Sequence, residues 1–382
     1  MHTRPNWAEI SLSALAENYR VVARHIGPGI TPCCVIKCDA YGHGVIESAR
    51  ALEEAGAVFL GVTSTEEGIA VRDAGVKLPI LVMTGFWRGE EEALLRHHLT
   101  PAIATVEQIE ALERAHSALG LTHKIPVHLK VDTGMSRLGV SLADLPALAA
   151  RIARSPVVEL EGVFSHLSES EVLDSPVAAQ QRVDFERAIA LLADAGLHPR
   201  YRHLANTAAT VARPDTWNNM VRPGLALYGY NLTCEGQRDG PGAETTALPV
   251  RPVLTWKTRI IALRDIAPGT AVGYNQRWRA ARPTRLAVIP VGYGDGFNRQ
   301  LSKGGQVILH DHYSPIVGNV SMDLTMIDVT DIPEAAIGDE VLLIGRSEHC
   351  SVGADDQARL ANTIVYEILC GLSPRVPRVY VE

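Results

Sequence analysis

The sequence lacks the features that place a chain in a membrane or outside the cell. It has no uncharged apolar run of about 18 residues, so we expect no membrane-spanning helix. The N-terminal stretch MHTRPNWAEI has no apolar core of the kind found in signal peptides. Basic residues are also not in excess, because 36 Lys and Arg stand against 43 Asp and Glu, a formal net charge of −7. Nucleic acids call for a basic face, so we expect a cytoplasmic protein with no membrane or nucleic-acid partner.

Cysteine is scarce and is not spaced for pairing. The six cysteines form no CxxC pair, and three of them fall in the apolar run PCCVIKC. A disulfide framework needs a small secreted chain, and a zinc site needs a second ligand cluster. The tripeptide His310–His312 also has no second cluster, and we interpret it as a solvated turn. We therefore expect reduced, mostly buried thiols and no metal site.

From about residue 11 to residue 236 the sequence alternates between short apolar runs and amphipathic stretches rich in Ala, Leu and Glu. The eight runs are ITPCCVIK, AVFLGVT, PILVMT, TPAIAT, PVHLKV, VVELEGVF, YRHLA and MVRPGLALYG. Continuous apolar runs are typical of strands in a buried parallel sheet. Eight strand–helix units predict a TIM-type barrel. A doubly wound sheet stays open as the alternative, because periodicity does not show whether a sheet closes.

After about residue 237 the pattern changes to that of an antiparallel β domain. The stretch CEGQRDGPGAETTALP is polar and rich in Gly and Pro, so it indicates a boundary. Short alternating strands and turns follow it. A chain of 382 residues also exceeds one ordinary core. The predicted fold is thus α/β, with a barrel in residues 1–236 and a mostly antiparallel β domain in 237–382, and the first ten or so residues are candidates to pair with that domain.

The run VIKCDAYGHG places a lysine at the end of a predicted strand. Lys37 ends the strand, and Tyr41 follows in a turn that also contains Gly42 and Gly44. The carboxyl ends of barrel strands form the active-site face. A solvated lysine is one interpretation of this position. A desolvated amine is what Schiff-base chemistry requires, and it is the other.

The run HLKVDTGMSRLG brings both signs of charge to the end of another strand. Lys130 and Asp132 follow the apolar residues, and Arg137 comes after a glycine. A guanidinium binds a carboxylate through two parallel hydrogen bonds, so this loop suits recognition of an acidic group. A plain turn with an internal ion pair accounts for the pattern equally well.

Two further runs end the predicted barrel. In HLANTAA, Asn206 and Thr207 fit a helix N-cap, and a helix N-terminus with a hydroxyl also suits a phosphate. In MVRPGLALYG, Arg222 precedes Pro and Gly224 in the last strand. Barrel phosphate sites often use the loops after the last two strands, which is where Thr207 and Gly224 fall.

The C-terminal region holds two tyrosine motifs. VGYNQRW places Tyr274 after a glycine in a turn, and PVGYGDG ends an apolar strand. The glycines of GYGDGF do not indicate a dinucleotide site, because the G-x-G-x-x-G spacing and a following helix are absent.

Taken in order, these motifs resemble the alanine racemase family nearly end to end. The likeness runs from RPNWAEISLSAL through VIKCDAYGHG, LKVDTGMSRLG, HLANTAA, MVRPGLALYG, VGYNQRW, PVGYGDG and SMDLTMIDV to YEILCGLSPRVPR. The resemblance implies a β/α barrel followed by a β domain, in a head-to-tail homodimer whose active sites are shared between subunits. It also implies an isomerase that uses pyridoxal 5′-phosphate (PLP) and supplies D-alanine as a peptidoglycan precursor.

The resemblance also implies a role for each matching residue. Lys37 and Tyr274 would be the two catalytic bases, Lys37 for the D-isomer and Tyr274, from the other subunit, for the L-isomer. Arg137 and Met322 would bind the substrate, and Lys130 matches a lysine that is often carbamylated. The residues implied to hold the cofactor or its surroundings are Lys37, Tyr41, His166, Asn206, Thr207, Arg222, Gly224 and Leu225, with Arg222 at the ring nitrogen and His166 beside the tyrosine.

The sequence departs from the family pattern at two positions. Pro374 stands where some members have a tyrosine that reaches the phosphate, and Ser321 stands where cysteine is frequent. Neither change removes a catalytic group, but the first leaves phosphate affinity and substrate breadth open. Two other functions compete with a racemase. One is a barrel-type PLP decarboxylase, against which the chain has no glycine-triplet phosphate loop. The other is a single-domain PLP carrier, against which the chain has a β domain with the Tyr274 motif.

Overall fold

The structure, a computed structural model, describes residues 4–232, 234 and 247–382, which fall into two units. The barrel unit comprises Ser13–Ala40 and Val45–Arg251. The β unit comprises residues 4–12, Tyr41–Gly44 and Pro252–Glu382. The predicted domain boundary between residues 236 and 237 lies outside the described residues.

The barrel unit is built from parallel strands that each lead into a helix. After the first strand of the chain, β1 (Asn6–Ser11), which belongs to the β unit, come helix α1 (Leu12–Ile26) and the barrel strands. These strands are β2 (Thr31–Val35), β3 (Phe59–Val62), β4 (Ile80–Val82), β5 (Thr100–Ile103), β6 (Ile125–Lys130), β7 (Val158–Phe164), β8 (Tyr201–His203) and β9 (Met220–Val221). The helices among them are α2 (Lys37–Gly42), α3 (Val45–Glu54), α4 (Thr65–Asp73), α5 (Glu91–Arg96), α6 (Val106–Ala118), α7 (Leu145–Ala153), α8 (Pro176–Asp194) and α9 (Thr207–Ala212).

The order of these strands confirms the barrel and excludes the doubly wound sheet. The strands pair in the sequence β8-β7-β6-β5-β4-β3-β2-β9, so each lies beside the strand that precedes it in the chain until β9 returns to β2. Between β9 and β8 the amide of Arg222 donates to the carbonyl of Ala205 at 3.0 Å. The barrel is therefore nearly closed, and all the strand ends that the sequence singled out share one rim.

Local sequence accounts for where the helices begin. Ser64 caps α4, because its hydroxyl accepts from the Glu67 amide while the Glu67 carboxylate accepts from the Ser64 amide. Thr105 caps α6 by accepting from the Gln108 amide at 3.3 Å. Each cap satisfies amides that the first helical turn leaves without a partner.

The β unit is mostly antiparallel, as predicted. Its remaining strands are β10 (Leu254–Arg259), β11 (Ala262–Ile266), β12 (Ala271–Val272), β13 (Trp278–Arg279), β14 (Thr284–Ile289), β15 (Gln306–Leu309), β16 (His312–Val317), β17 (Thr325–Asp328), β18 (Glu340–Arg346), β19 (Ser351–Val352) and β20 (Arg378–Val381). The large sheet runs β11-β14-β17-β16-β15-β18-β10-β1-β20, and in it β1 pairs antiparallel with β10 and parallel with β20. Helices α10 (Ala354–Ala361) and α11 (Val365–Cys370) follow β19. Trp256 and Phe297 are fully buried in this unit, with ring centroids 5.7 Å apart.

Two composition-based expectations can be compared with the structure. The four cysteines at positions 33, 34, 234 and 350 are buried, and Cys38 and Cys370 are exposed. Within the described residues, no helix combines the length and apolar character that crossing a bilayer requires.

Candidate active site

Most of the predicted site residues lie at the carboxyl ends of the barrel strands. Lys37 follows β2, Lys130 ends β6, and Arg222 follows β9 directly. The other barrel residues of this group are Arg137, His166, Asn206, Thr207, Gly224 and Leu225, in the segments after β6, β7, β8 and β9. Because these strands are neighbours in a closed sheet, their ends surround one site.

Lys37 is half-buried and begins helix α2. Within the part of the chain that the structure describes, its ammonium has no hydrogen-bond or ion-pair partner. Schiff-base chemistry needs a lysine amine that is partly withdrawn from solvent and not held in an ion pair. The structure thus favours the chemically used lysine over the solvated one.

Helix α2 is left-handed, whereas the sequence of this segment predicts only a turn. Cys38, Asp39, Ala40 and Tyr41 have φ values between +52° and +54°. This conformation costs L-residues about 1–2 kcal/mol each. Two contacts help to hold it: the Cys38 amide donates to the Glu67 carboxylate at 2.6 Å, and the Asp39 carboxylate accepts from the Val45 amide at 2.8 Å. Strain of this kind is characteristic of functional sites, and here it directly follows Lys37.

Arg222 is buried beside neutral partners only. Its guanidinium donates to Nδ1 and the carbonyl of His203 at 2.9 and 3.0 Å, to the carbonyls of Ser165 and Leu204 at 2.7 and 3.1 Å, and to His166 Nδ1 at 3.3 Å. Burial lowers its pKa to about 10. The guanidinium remains a cation at neutral pH, and no described carboxylate contacts it.

These contacts fix how His166 can act. A guanidinium only donates, so His166 Nδ1 must accept and its proton lies on Nε2. Burial, together with Arg222, Arg137, Lys130 and Lys37, lowers the pKa of His166 to about 3. His166 is therefore a neutral imidazole that offers an Nε2–H donor.

Lys130 lies among other cations. Burial and then Arg222, Arg137 and Lys37 lower the pKa of Lys130 to about 8, and Asp132 partly opposes them. Its Nζ contacts the Met83 carbonyl at 3.4 Å and lies 5.2 Å from the centre of the Phe164 ring. About a tenth of Lys130 is therefore uncharged at pH 7, far more than for an unperturbed lysine.

The loop after β6 leaves Arg137 available. The Asp132 carboxylate accepts from the amides of Gly134 and Ser136 at 2.9 and 3.0 Å, so it shapes the turn. Arg137 is exposed, and over the described residues its guanidinium has no hydrogen-bond or ion-pair partner. The internal ion pair that the sequence left open does not form. Beside Arg137 and Lys130 opens a cleft of about 790 Å³ that is also lined by Trp87.

Backbone and hydroxyl donors converge where β8 and β9 end. Asn206 caps α9 by accepting from the Ala209 amide at 3.1 Å, as the sequence predicted. The Thr207 hydroxyl oxygen accepts from the amides of Gly224 and Leu225 at 2.8 and 3.1 Å. Two amides thus converge on the Thr207 hydroxyl oxygen, and amides and hydroxyls are the donor types that bind phosphate oxygens.

Three predicted residues belong to the β unit. Tyr274 begins a 3₁₀ turn, and its side chain is 71% exposed while Asn319 donates to its carbonyl at 2.9 Å. Met322 is 53% exposed. Tyr41 is buried, with its ring 5.7 Å from that of Tyr366.

The PVGYGDG motif, rejected above as a dinucleotide site, supports the Met322 loop. The amides of Tyr293 and Gly294 donate to the carbonyls of Ser321 and Met322 at 3.0 and 2.9 Å. A Cβ at Gly292 would lie 2.2 Å from the Ser321 carbonyl oxygen, so only glycine permits this approach. The motif therefore holds the loop that carries Met322 in place through backbone hydrogen bonds.

Sequence reasoning missed His203, which holds Arg222. The available signal was a histidine that ends strand β8 directly before the apolar residues Leu204 and Ala205, since buried positions of a barrel strand are normally aliphatic. Sequence reasoning also missed a surface group formed by Asp311, Glu348 and His349. The side-chain atoms of these residues that could bind a metal lie within 4.8 Å of one another. Asp311 there accepts from the Ser347 hydroxyl and from His349, which lowers the pKa of its carboxyl.

Comparison with known proteins identifies the group to which this arrangement belongs. Residues 10–232 match the family model described as alanine racemase, N-terminal domain, and residues 253–380 match alanine racemase, C-terminal domain. The chain belongs to the alanine racemase family. The family therefore accounts for both the barrel and the β domain, and the predicted racemase class is confirmed.

Curated members of the alanine racemase family align with the whole chain. The alanine racemase of Desulfovibrio desulfuricans is 40% identical over 380 residues and covers 99% of each chain. That of Symbiobacterium thermophilum is 41% identical over 379 residues, or 99% of this chain and 97% of its own.

Solved alanine racemases share the fold. The Clostridium difficile structure superimposes with a TM-score of 0.90 at 31% identity, covering 100% of this chain and 97% of that one. The Bartonella henselae structure, which has covalently bound pyridoxal phosphate, gives 0.85 at 30% identity and covers 99% of both chains. PLP is thus the cofactor that membership of the alanine racemase family implies.

Proposed function

We propose that this chain interconverts L- and D-alanine with PLP held covalently by Lys37. The observation that supports this most directly is the concentration of cations at the barrel rim. Arg222, Arg137 and Lys37 all act electrostatically on Lys130, and Asp132 is the carboxylate that opposes them there. Such a site needs anions to complete it, and a phosphorylated cofactor with a carboxylate substrate supplies them.

The residues present fit the cofactor. The Lys37 amine would form the covalent link, and Thr207 with the amides of Gly224 and Leu225 would receive the phosphate. Asn206 fixes the start of α9 for this purpose, and we propose Tyr41 as a further phosphate contact. Arg222, held by neutral partners, would face the ring nitrogen.

The cofactor, when bound, supplies an electron sink for the carbon–hydrogen bond next to the substrate carboxylate. An arginine at the ring nitrogen keeps that nitrogen largely unprotonated, which moderates the sink and disfavours side reactions. Racemisation then requires one base on each face of the α-carbon. We assign Lys37 Nζ to the proton of the D-isomer and Tyr274 Oη to that of the L-isomer.

The substrate carboxylate is assigned to Arg137, whose guanidinium has no competing described partner. Lys130 would steer it: the neutral amine can add carbon dioxide and lose a proton to solvent, which forms a carbamate anion where the lysine is otherwise a cation. The surrounding cations that lower the Lys130 pKa would also stabilise the resulting carbamate. Met322 is assigned to the wall beside the substrate.

We propose a homodimer in which Tyr274 serves the site of the partner. Tyr274 is exposed on the β unit, and the barrel unit separately has an open cleft beside Lys130 and Arg137 with Trp87 exposed by 76%. His166, as an Nε2–H donor, would hydrogen-bond the incoming tyrosine. The product would supply D-alanine for a bacterial cell wall.

The first experiment follows L-alanine in deuterium oxide with purified protein and PLP, by NMR and optical rotation together. Entry of deuterium at the α-carbon with rotation decaying to zero supports the proposal. Lys37→Ala should abolish both signals and the absorbance of the bound cofactor, whereas Lys77→Ala, on the barrel surface, should change neither.

The same experiment separates the competing functions. Release of carbon dioxide without racemisation would indicate a decarboxylase. Cofactor absorbance without exchange, unaffected by Tyr274→Phe, would indicate a carrier. Repeating the measurement with serine tests the breadth of the substrate, which a single pocket side chain such as Met322 changes only modestly.

A further inference from the structure

The barrel interior contains a chain of polar side chains that begins at Arg222 and leads away from the predicted site. Arg222 donates to His203 Nδ1 at 2.9 Å, and His203 Nε2 is 2.8 Å from His128 Nδ1. His128 Nε2 in turn lies 3.4 Å from a carboxylate oxygen of Glu161. Both histidines are fully buried, and the Glu161 side chain is 24% exposed.

We propose that Glu161 and His128 are positioning residues that fix the tautomer of His203 and thereby hold the Arg222 guanidinium in place. Neither residue has a role in the function proposed above. The part of this inference that concerns catalysis rests on the proposed function, because it assumes that Arg222 faces the ring nitrogen. The part that concerns the tautomer does not.

The donors determine the direction of the chain. Arg222 only donates, so His203 Nδ1 accepts, and neutral His203 must have its proton on Nε2. The His203 Nε2–H group therefore donates a hydrogen bond to His128 Nδ1. Because His128 Nδ1 accepts, neutral His128 has its own proton on Nε2, on the side of Glu161. In the described part of the chain, His128 Nε2 has no hydrogen-bond partner, and a Glu161 carboxylate oxygen lies 3.4 Å from it.

An irregularity in strand β7 brings Glu161 to His128. Val127 pairs with Leu160 but His128 pairs with Gly162, so Glu161 is the extra residue of a β-bulge in β7. A bulge redirects a side chain that regular alternation would place elsewhere. A Cβ at Gly162 would lie 2.5 Å from the His128 ring, so the glycine makes the space that this ring occupies.

The surroundings keep both imidazoles neutral. The His203 ring stacks on Phe164 at 4.8 Å, and the His128 ring packs against Phe59 and Tyr201 at 5.8 and 5.9 Å. Burial lowers the pKa of both histidines, and the contact with Glu161 only partly offsets this for His128. With neutral rings, the arrangement of donors and acceptors, not a charge, transmits the influence of Glu161.

The consequence for Arg222 is orientation. If His203 carried its proton on Nδ1, an N–H would face the N–H of Arg222, and the guanidinium would have to move. An acceptor at Glu161 disfavours that state, because it secures His128 Nε2–H and so leaves His128 Nδ1 as an acceptor for His203.

The test uses the full chain labelled with ¹⁵N-histidine, because imidazole nitrogen shifts report tautomers directly. In cofactor-free protein, His203 should show a protonated Nε2 and an unprotonated Nδ1, with the signals assigned through His203→Asn. Glu161→Leu should convert part of His203 to the other tautomer. Glu161→Gln, which keeps an acceptor, should restore the wild-type signals, and Glu159→Leu on the exposed face of the same strand should leave them unchanged.

The loaded enzyme provides the second readout. Glu161→Leu should lower kcat about tenfold, as outer-shell partners of functional groups typically do, with little change in KM. Glu161→Gln should recover most of that loss. An unchanged His203 tautomer in Glu161→Leu, or a Glu161→Gln variant that behaves like Glu161→Leu, would overturn the proposal.

The two parts fail in different ways. If the tautomer responds as expected but the absorbance of the bound cofactor and kcat do not, the positioning of Arg222 stands and its role at the ring nitrogen is wrong. Calorimetry of each variant identifies one that fails to fold. In that case His128→Leu, which removes the acceptor that faces His203 Nε2, gives the same comparison.

Discussion

At the scale of single residues, neutral buried imidazoles beside cations make the barrel unit sensitive to acid. The pKa of His166 is about 3 in the folded chain, against an unperturbed value of about 6.5. Between these two values the unfolded chain binds a proton that the folded chain does not. The stability associated with His166 is therefore fully present above the higher value and is lost as the pH falls through this window.

We therefore expect the free energy of unfolding to fall as the pH is lowered from about 8 to about 5, with His166→Gln reducing the slope below its unperturbed pKa by up to about 1.4 kcal/mol per pH unit. Urea titrations at each pH measure the slope. His312→Gln, at an exposed position, is the control and should leave it unchanged. An equal slope in wild type and His166→Gln would show that the burial of this imidazole does not affect acid stability.

Lys130 provides a second prediction at this scale. Because its pKa is lowered to about 8, part of it is a neutral amine able to react with carbon dioxide. Protein incubated with ¹³C-bicarbonate should show one carbamate carbon signal, and Lys130→Arg should lack it. Since Arg137 would then lose its anionic neighbour, kcat/KM should fall about 10- to 100-fold through misorientation.

Two observations would contradict that account. One is a carbamate signal that persists in Lys130→Arg, which would assign it to another amine. The other is a Lys130→Arg variant with full activity, which would mean that Arg137 needs no anion beside it. Lys124→Arg, six residues earlier on the same segment of chain, is the matched control.

The sequence indicates candidate site residues most readily where a charged side chain lies at a strand end. Lys37, Lys130 and Arg222 were found because a charged residue after an apolar run is conspicuous. His203 and Glu161 were not, because a histidine within a strand has no distinctive spacing. In addition, the run VVELEGVF does not reveal that a bulge displaces Glu161.

At the scale of elements, the left-handed helix α2 shows a second limit. The letters KCDAYG contain no run of residues that favours positive φ, so the sequence predicted only a turn. The conformation depends on contacts remote in the chain, such as the one between the Cys38 amide and Glu67. By contrast, the barrel strands and the caps of α4 and α6 follow from local sequence.

Replacing cysteine by glycine should change the free energy of unfolding in opposite directions in α2 and in α11. Cys38 is exposed with φ +52°, so Cys38→Gly should raise the free energy of unfolding by about 1 kcal/mol through relief of left-handed strain. Cys370 is exposed at the end of the right-handed helix α11, where Cys370→Gly should lower it by up to about 1 kcal/mol.

Chemical denaturation of both variants measures the two changes under the same conditions. Destabilisation in Cys38→Gly as large as that in Cys370→Gly would mean that the positive φ at Cys38 carries no strain. Cys38→Val tests the converse, because a β-branched residue is the least tolerant of this region and should destabilise the chain most.

At the scale of the whole molecule, the sequence predicted the two kinds of unit, but it only suggested that β1 pairs outside the barrel. The alternating pattern of NWAEIS indicates a strand and does not name its neighbours. The structure places β1 between β10 and β20, more than 240 residues away along the chain. Pairing over such separations is decided by packing, which periodicity does not encode.

The proposed sharing of active sites between two copies leads to the last prediction. Lys37→Ala and Tyr274→Phe chains should each be inactive as homodimers. A heterodimer of the two, isolated through a different affinity tag on each chain, has one site with both native residues if Tyr274 serves the partner. It should therefore regain about half of wild-type activity, since a two-fold dimer has two equivalent sites.

The reciprocal heterodimer pairs a wild-type chain with a chain that has both substitutions. If Tyr274 crosses to the partner, each of its sites lacks one base and the heterodimer is inactive. If Tyr274 serves its own chain, the outcomes reverse: this heterodimer keeps one intact site and the first has none. Because the two heterodimers contain the same four side chains, the comparison depends only on which subunit each base serves.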